Sequence, residues 1–286
     1  MLPPPHFRNE NRIYELVRAK RKLWVIHPDY GYSDAELPSG DLVLSDIPQE
    51  SSFVEKIDAD LLKKSRLCVD ITGFVKPYMF FLLRWLRHHK INKFDIIYTE
   101  PGRYEKKENT KCSDEIVSEV RQIYGYRGNH SSDTSRDVLI VGSGYDDELI
   151  SHVADFKSNS EKYQMIGFPS LRADMYQENM LNAHRASEAM SSGDRKSRNV
   201  IFAPANDPFV TATVLSSTIY NLKQNASISN LYLSPLATKP QALGFALYYL
   251  QECLNSSTSI IYPFSVRHSR ETSKGISRIW KYNIEL

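Results

Sequence analysis

Two lysines in this sequence stand where an anion could be bound. Lys239 lies between Thr238 and Pro240, and Lys76 lies between Val75 and Pro77. Each follows an apolar, strand-like run and a short loop, and each precedes a long apolar run of helical character. Proline suits the first turn of a helix, where its missing N–H costs nothing. A lysine at the same place opposes the positive end of the helix dipole. A bound anion removes that conflict by pairing with the ammonium and with the unpaired N–H groups together. The alternative is a surface lysine turned back to water. Residues able to share such sites are Asp70, Thr72 and Gly73 in the first loop, and Ser234 and Thr238 in the second. Neither loop has the G-x-x-x-x-G-K-[ST] form of a nucleoside-triphosphate loop.

A glycine-rich turn and a set of carboxylates offer other chemistry. Gly142-Ser143-Gly144 separates a strand-like run from a helix-like one, and its glycines would let a phosphate or ribose approach the backbone. Asp147 occupies the place of the third glycine in a G-x-G-x-x-G fingerprint, and Asp146 and Asp147 would repel a pyrophosphate. A tight turn with acidic helix capping is the competing reading. Asp174 and Glu178 fall four residues apart on one helix face, Asp207 closes a later strand-to-helix loop, and Arg172, Asn179 and Asn206 flank them. Such carboxylates can transfer protons or hold a metal, and they can equally cap helices. No G-x-S-x-G, H-E-x-x-H or Cys-His pattern is present, and the adjacent His88-His89 pair lacks the one-face spacing of helical metal ligands. No metal is expected, and no cofactor is indicated beyond a nucleotide ligand.

The elements that must position these residues alternate along the chain. A helix with a basic end is expected over 10–20, strands over 23–26 and 41–45, and helical spacing over 51–64. The Lys76 motif follows, then a strand over 94–98, a turn over 100–104 and a helix over 113–123. Residues 125–136, rich in Gly, Asn, Ser, Asp and His, read as a linker between an N-terminal Rossmann-like half, 1–124, and a C-terminal domain, 137–286. Strands are then expected over 137–141, 163–168, 200–203 and 259–263, with helices over 146–156, 173–190 and 208–222. A mainly parallel α/β fold follows, with Rossmann-like sheets flanked by helices. In such sheets ligands bind beyond the carboxyl ends of the strands, where the candidate loops lie.

The two lysine motifs are alike in order as well as in residues. Each reads strand, loop, Lys-Pro, helix and strand, with the last strand at Ile96-Ile97-Tyr98 or Ile260-Ile261-Tyr262, about 163 residues apart. An internal duplication is expected. Composition narrows the function classes. A net charge of +2 and a charged fraction of 24% argue against a nucleic-acid-coating role, so nucleic acid is not indicated as a partner. No apolar run approaches the roughly 18–20 residues that span a bilayer, and the first residues lack the apolar core of a secretory signal. Three cysteines, Cys68, Cys112 and Cys253, have neither paired nor metal-like spacing and fit a reducing compartment. A cytoplasmic protein without a membrane partner is expected.

The strand, small-residue turn ending in Thr-Lys, and apolar helix resemble the ligand loop of CARF domains, Rossmann-like sensors of cyclic oligonucleotides in prokaryotic antiviral systems. Thr238-Lys239 matches the Thr-Lys of that loop, and Asp70-Ile71-Thr72-Gly73 with Lys76 matches its Asp-x-Thr-Gly…Lys form. The resemblance covers these two short segments, and the second lacks the Gly-Gly that precedes Thr-Lys in the family. It implies two copies paired about a two-fold axis, so that Lys76 and Lys239 would face one ligand and either substitution would weaken its binding. The favoured function is a cytosolic sensor or accessory subunit for a nucleotide or other phosphorylated small ligand, working with an effector protein or as a homo-oligomer. A role in antiviral defence is what the resemblance implies. The alternatives are a nucleotide- or nucleic-acid-processing enzyme using Asp174, Glu178 and Asp207, and a non-catalytic scaffold for a partner protein.

Overall fold

The computed structural model describes residues 17–27, 30, 32–33, 37, 41–44, 50–104, 117–144, 146–172, 176–177, 180–181, 184–185, 190, 199–265 and 273–286. The chain forms two compact units, one of 1–116 with 266–285 and the other of 117–265 with Leu286. Residues 125–136 therefore lie inside the second unit.

In the first unit, β1 (Leu23–Ile26) and β2 (Asp41–Leu44) pair in parallel. The helical spacing over 51–64 becomes two short pieces, a 3-10 turn at Ser52–Lys56 and α1 (Ala59–Lys63). Extended Asp58 divides them, because its carboxylate accepts from the Leu61 N–H at 3.0 Å and starts a new helix. Next come β3 (Cys68–Asp70), α2 (Lys76–His88) and β4 (Lys93–Tyr104), with β3 and β4 parallel. Helix α2 buries Pro77, Tyr78, Met79, Phe80, Leu82, Leu83 and Leu86, as its nearly continuous apolar sequence requires. The expected helix over 10–20 lies outside the described residues except for 17–20, which are not helical.

The second unit opens with β5 (Val117–Gln122), where a helix was expected over 113–123. Residues 113–116 lie outside the described set. It continues through β6 (Val138–Gly142), α3 (Asp147–Phe156), β7 (Glu161–Gly167), β8 (Asn199–Ala203), α4 (Pro208–Asn225), β9 (Leu231–Pro235), α5 (Lys239–Tyr248) with a π turn at Tyr249–Cys253, and β10 (Thr258–Ser265). The six strands run in the order β5-β10-β9-β6-β7-β8, and only β5 is antiparallel to its neighbour. Every residue of β6 and β9 is buried, as in a sheet covered on both faces. Gly244 lets α4 and α5 cross closely: a Cβ there would stand 2.6 Å from the Pro208 carbonyl oxygen and from the Thr211 side chain. Of the helix expected over 173–190, residues 176–177, 180–181, 184–185 and 190 are described; the first six are helical and Met190 is in a turn.

The chain ends in β11 (Ser273–Glu285), which returns to the first unit and runs antiparallel to β4 from Ser273↔Tyr104 to Glu285↔Lys93. That sheet has the order β11-β4-β3. The turn expected over 100–104 is thus strand, because β11 supplies partners along its whole length. The register shifts between Ile276 and Arg278, opposite Pro101, which has no N–H to donate. Mixed α/β architecture with a mostly parallel sheet between helices is the fold of this protein. Among the described residues, no helix is long and apolar enough to cross a membrane.

Candidate functional site

In the second unit, the loops that follow β6, β8 and β9 meet at the carboxyl end of the sheet. From β6 the chain proceeds to β7 on one side, and from β9 it proceeds to β10 on the other. The gap between β6 and β9 is therefore the topological switch point, where doubly wound sheets receive ligands. Thr238 closes the β9 loop. Its hydroxyl accepts from the Gln241 N–H at 3.3 Å, capping α5, and donates to the Ala205 carbonyl at 2.5 Å. Gln241, itself buried, donates its side-chain amide to the Ala203 carbonyl at 3.0 Å. The loop presenting Lys239 is thereby tethered to the end of β8. Lys239 is half-buried and is the first residue of α5, whose residues from Pro240 to Tyr248 are all buried. Asn206 is half-buried in the adjoining loop.

The glycine turn lies against these elements. A Cβ on Gly142 would stand 3.1 Å from Phe245 of α5, and one on Gly144 would stand 2.3 Å from the Leu236 carbonyl oxygen. Its glycines admit neighbouring parts of the same chain. Asp146 caps α3 by accepting from the Leu149 N–H at 3.2 Å, and Asp147 and Glu148 add negative charge to the first turn. The carboxyl end of the sheet is consequently acidic at α3 and basic at α5. Beneath the turn, Val141 is in register with Gln164 on one side and Ser234 on the other, and Ser143 lies two residues beyond Val141 on the same sheet face. The Ser143 and Ser234 hydroxyls and the Gln164 side-chain N–H groups are buried without a hydrogen-bond partner. Unpaired buried polar atoms are uncommon, and here they gather at the switch point.

The matching loop of the first unit is held from within. Asp70 accepts from the Thr72 N–H at 2.9 Å and from its hydroxyl at 2.5 Å, while the Thr72 oxygen accepts from the Thr99 N–H at 2.8 Å. These bonds close the turn and fix it to β4. The Gly73 carbonyl accepts from the Tyr30 hydroxyl at 3.3 Å. Lys76 is half-buried at the start of α2. The sequence reading missed the aromatic wall beside this turn. His27 packs edge-on against Phe74 and Tyr78, with ring centroids 5.0 Å and 4.5 Å away. The continuous apolar run of β1, leading directly to His27, is the signal that could have placed that wall at a strand's carboxyl end.

The acid–base set does not come together as a described site. Asp174 and Glu178 lie outside the described residues, as does Asn179. Asp207 spends one carboxylate oxygen on the Phe209 and Val210 N–H groups, at 2.9 Å and 3.0 Å, as the cap of α4. Among the described residues there is no group of three or more His, Cys, Asp or Glu side chains placed to hold a metal ion.

At the opposite end of the strands, His130 bridges Ser259 at 2.5 Å and Asn230 at 3.1 Å, and Asn230 donates to Asp137 at 2.7 Å. The series has the order of a hydrolase relay, but Ser259 is fully buried and accepts from the Gly128 N–H at 2.8 Å. Its work is to fasten residues 125–136 to the sheet. Nearby, the Lys157 ammonium lies 3.5 Å over the Tyr232 ring, and burial together with the Asp137 carboxylate pushes the Tyr232 phenol up to about 12.

No protein-family model matches the chain, and no curated protein matches its sequence.

Proposed function

We propose that this protein is a cytosolic binding protein for a nucleotide or another phosphorylated small ligand, acting as a sensor or accessory subunit. One observation carries the reading. In each unit a half-buried lysine is the first residue of a helix that begins at the carboxyl end of a parallel strand. A cation at that place opposes the positive end of the helix dipole, and an anion meeting both the ammonium and the helix N–H groups offsets that conflict.

The two settings support an internal duplication. In one, β3, α2 and β4 form a parallel pair with antiparallel β11 outside it; in the other, β9, α5 and β10 do so with antiparallel β5 outside. A sensor built from two such units is what the CARF-like loops imply, and a place in prokaryotic antiviral defence rests on that resemblance alone. Of the carboxylates of the enzymatic alternative, Asp207 caps α4 with one oxygen, and Asp174 and Glu178 lie outside the described residues.

Native mass spectrometry of the freshly purified chain tests the reading. A co-purified phosphorylated ligand that is retained by wild type and lost from Lys239→Ala is the expected result. A ligand retained equally by Lys76→Ala and Lys239→Ala would count against it.

A further inference from the structure

We infer that two copies of this chain pair through β8, each β8 lying antiparallel to the other across a two-fold axis, so that their sheets join edge to edge. Strand β8 ends the order of the six-stranded sheet, and among the described residues no strand runs along its outer side. The Ala203 carbonyl accepts from the Phe168 N–H at 2.8 Å, so Ala203 turns its backbone polar groups towards β7. That direction alternates along a strand, and Val200 and Phe202 therefore turn theirs outward. Those are the groups that a further strand would engage.

Edges that must stay unpaired are protected by charged side chains, prolines or bulges. β5, at the other edge of the same sheet, carries Glu119 and Arg121. β8 reads Asn-Val-Ile-Phe-Ala, with neither charge nor proline, and Phe202 is exposed. The Phe202 ring lies 6.1 Å from that of Phe168, also exposed. An open groove runs between Asn199, Val200 and Ile201 of β8 and Thr218, Asn221 and Asn225 of α4, and none of these six is charged.

The absence of charge selects the occupant. A two-fold axis sets a surface against itself, so a charge beside the axis would meet its own sign. Here none stands on the strand. Pairing centred on Ile201 sets Val200 opposite Phe202 of the second copy. Both turn N–H and C=O outward, so each such pair exchanges backbone hydrogen bonds in both directions. Val200 then packs against the exposed Phe202 ring, an aromatic and β-branched pair of the kind that stabilises sheets. Two five-residue strands alone are marginal. Helix α4, about 27 Å long and uncharged except at Lys223, flanks the seam and extends the contact.

Sedimentation velocity of the full chain over a range of concentrations tests the pairing, with wild type, Phe202→Lys and Ile201→Cys. Wild type should show a monomer–dimer equilibrium. Phe202→Lys should stay monomeric throughout, with an unchanged thermal unfolding midpoint. Centring on Ile201 makes the two copies of that residue a non-hydrogen-bonded pair with Cα atoms about 4.5 Å apart, within the span of a disulfide. Oxidised Ile201→Cys should therefore run as a covalent dimer on a non-reducing gel, and wild type treated alike, with its own three cysteines, should not. A wild type that is monomeric at every concentration would overturn the pairing and leave the edge to a strand of another protein. So would a dimer that a folded Phe202→Lys leaves intact. Failure of Ile201→Cys to crosslink overturns it whatever Phe202→Lys does.

Discussion

Gly144 lies so close to Leu236 that a Cβ at position 144 would stand 2.3 Å from the Leu236 carbonyl oxygen. The loops after β6 and β9 thus touch backbone to backbone at the switch point, and a methyl group cannot enter without moving one of them. Gly144→Ala is expected to destabilise the protein by about 1–3 kcal/mol, the usual cost of overpacking. Gly142→Ala should cost less, because its nearest neighbour is the Phe245 ring at 3.1 Å, which can shift where a backbone cannot. Urea unfolding of the two variants checks the order; equal midpoints would contradict the close contact at Gly144.

Thr238 both caps α5 and ties its loop to Ala205. Thr238→Ala should lose on the order of 1 kcal/mol from the cap, and Thr238→Ser should keep most of it. If the tether also positions Lys239, Thr238→Ala will weaken ligand binding more than Thr238→Ser does. Thermal unfolding and a binding titration on the same samples separate the two effects.

Asp95 gives the first unit an acid-sensitive link. Burial acts to raise its pKa, but hydrogen bonds and charge from Lys281 and Arg66, at 3.1 Å and 2.9 Å, outweigh burial and hold the carboxyl below the ordinary carboxylate range. With the folded pKa depressed, the stabilising contribution is complete above the unfolded pKa and is lost as pH falls through the folded one. Asp95→Asn should therefore lower the urea midpoint at about pH 7 and reduce the further loss on acidification to about pH 3. An undiminished loss in the variant would show that other carboxylates carry the acid sensitivity.

Local chemistry made much of the second unit legible. The Val-Leu-Ile-Val run of β6 marks a buried strand, and Asp207 followed by Pro208 marks the start of α4. β5 was misread because Val117 and Val120 suit a helix face as well as a strand. Its antiparallel ladder with distant β10 decides the matter, and Arg121 adds a contact 3.6 Å above the Phe264 ring. Pro101 and Gly102 look like a turn until β11 runs beside them. At the candidate sites, the Lys-Pro helix starts were legible for the same local reason. The tethers were not, since Thr238 reaches a carbonyl 33 residues away and Tyr30 one 43 residues away.

Isothermal titration of the intact chain with ATP, alongside Lys76→Ala and Lys239→Ala, measures the proposed anion sites most directly. Wild type should bind, and losing a charge-assisted contact at either helix start should weaken binding by about tenfold or more. No binding to wild type, or the same affinity in all three proteins, would contradict phosphate recognition at these lysines.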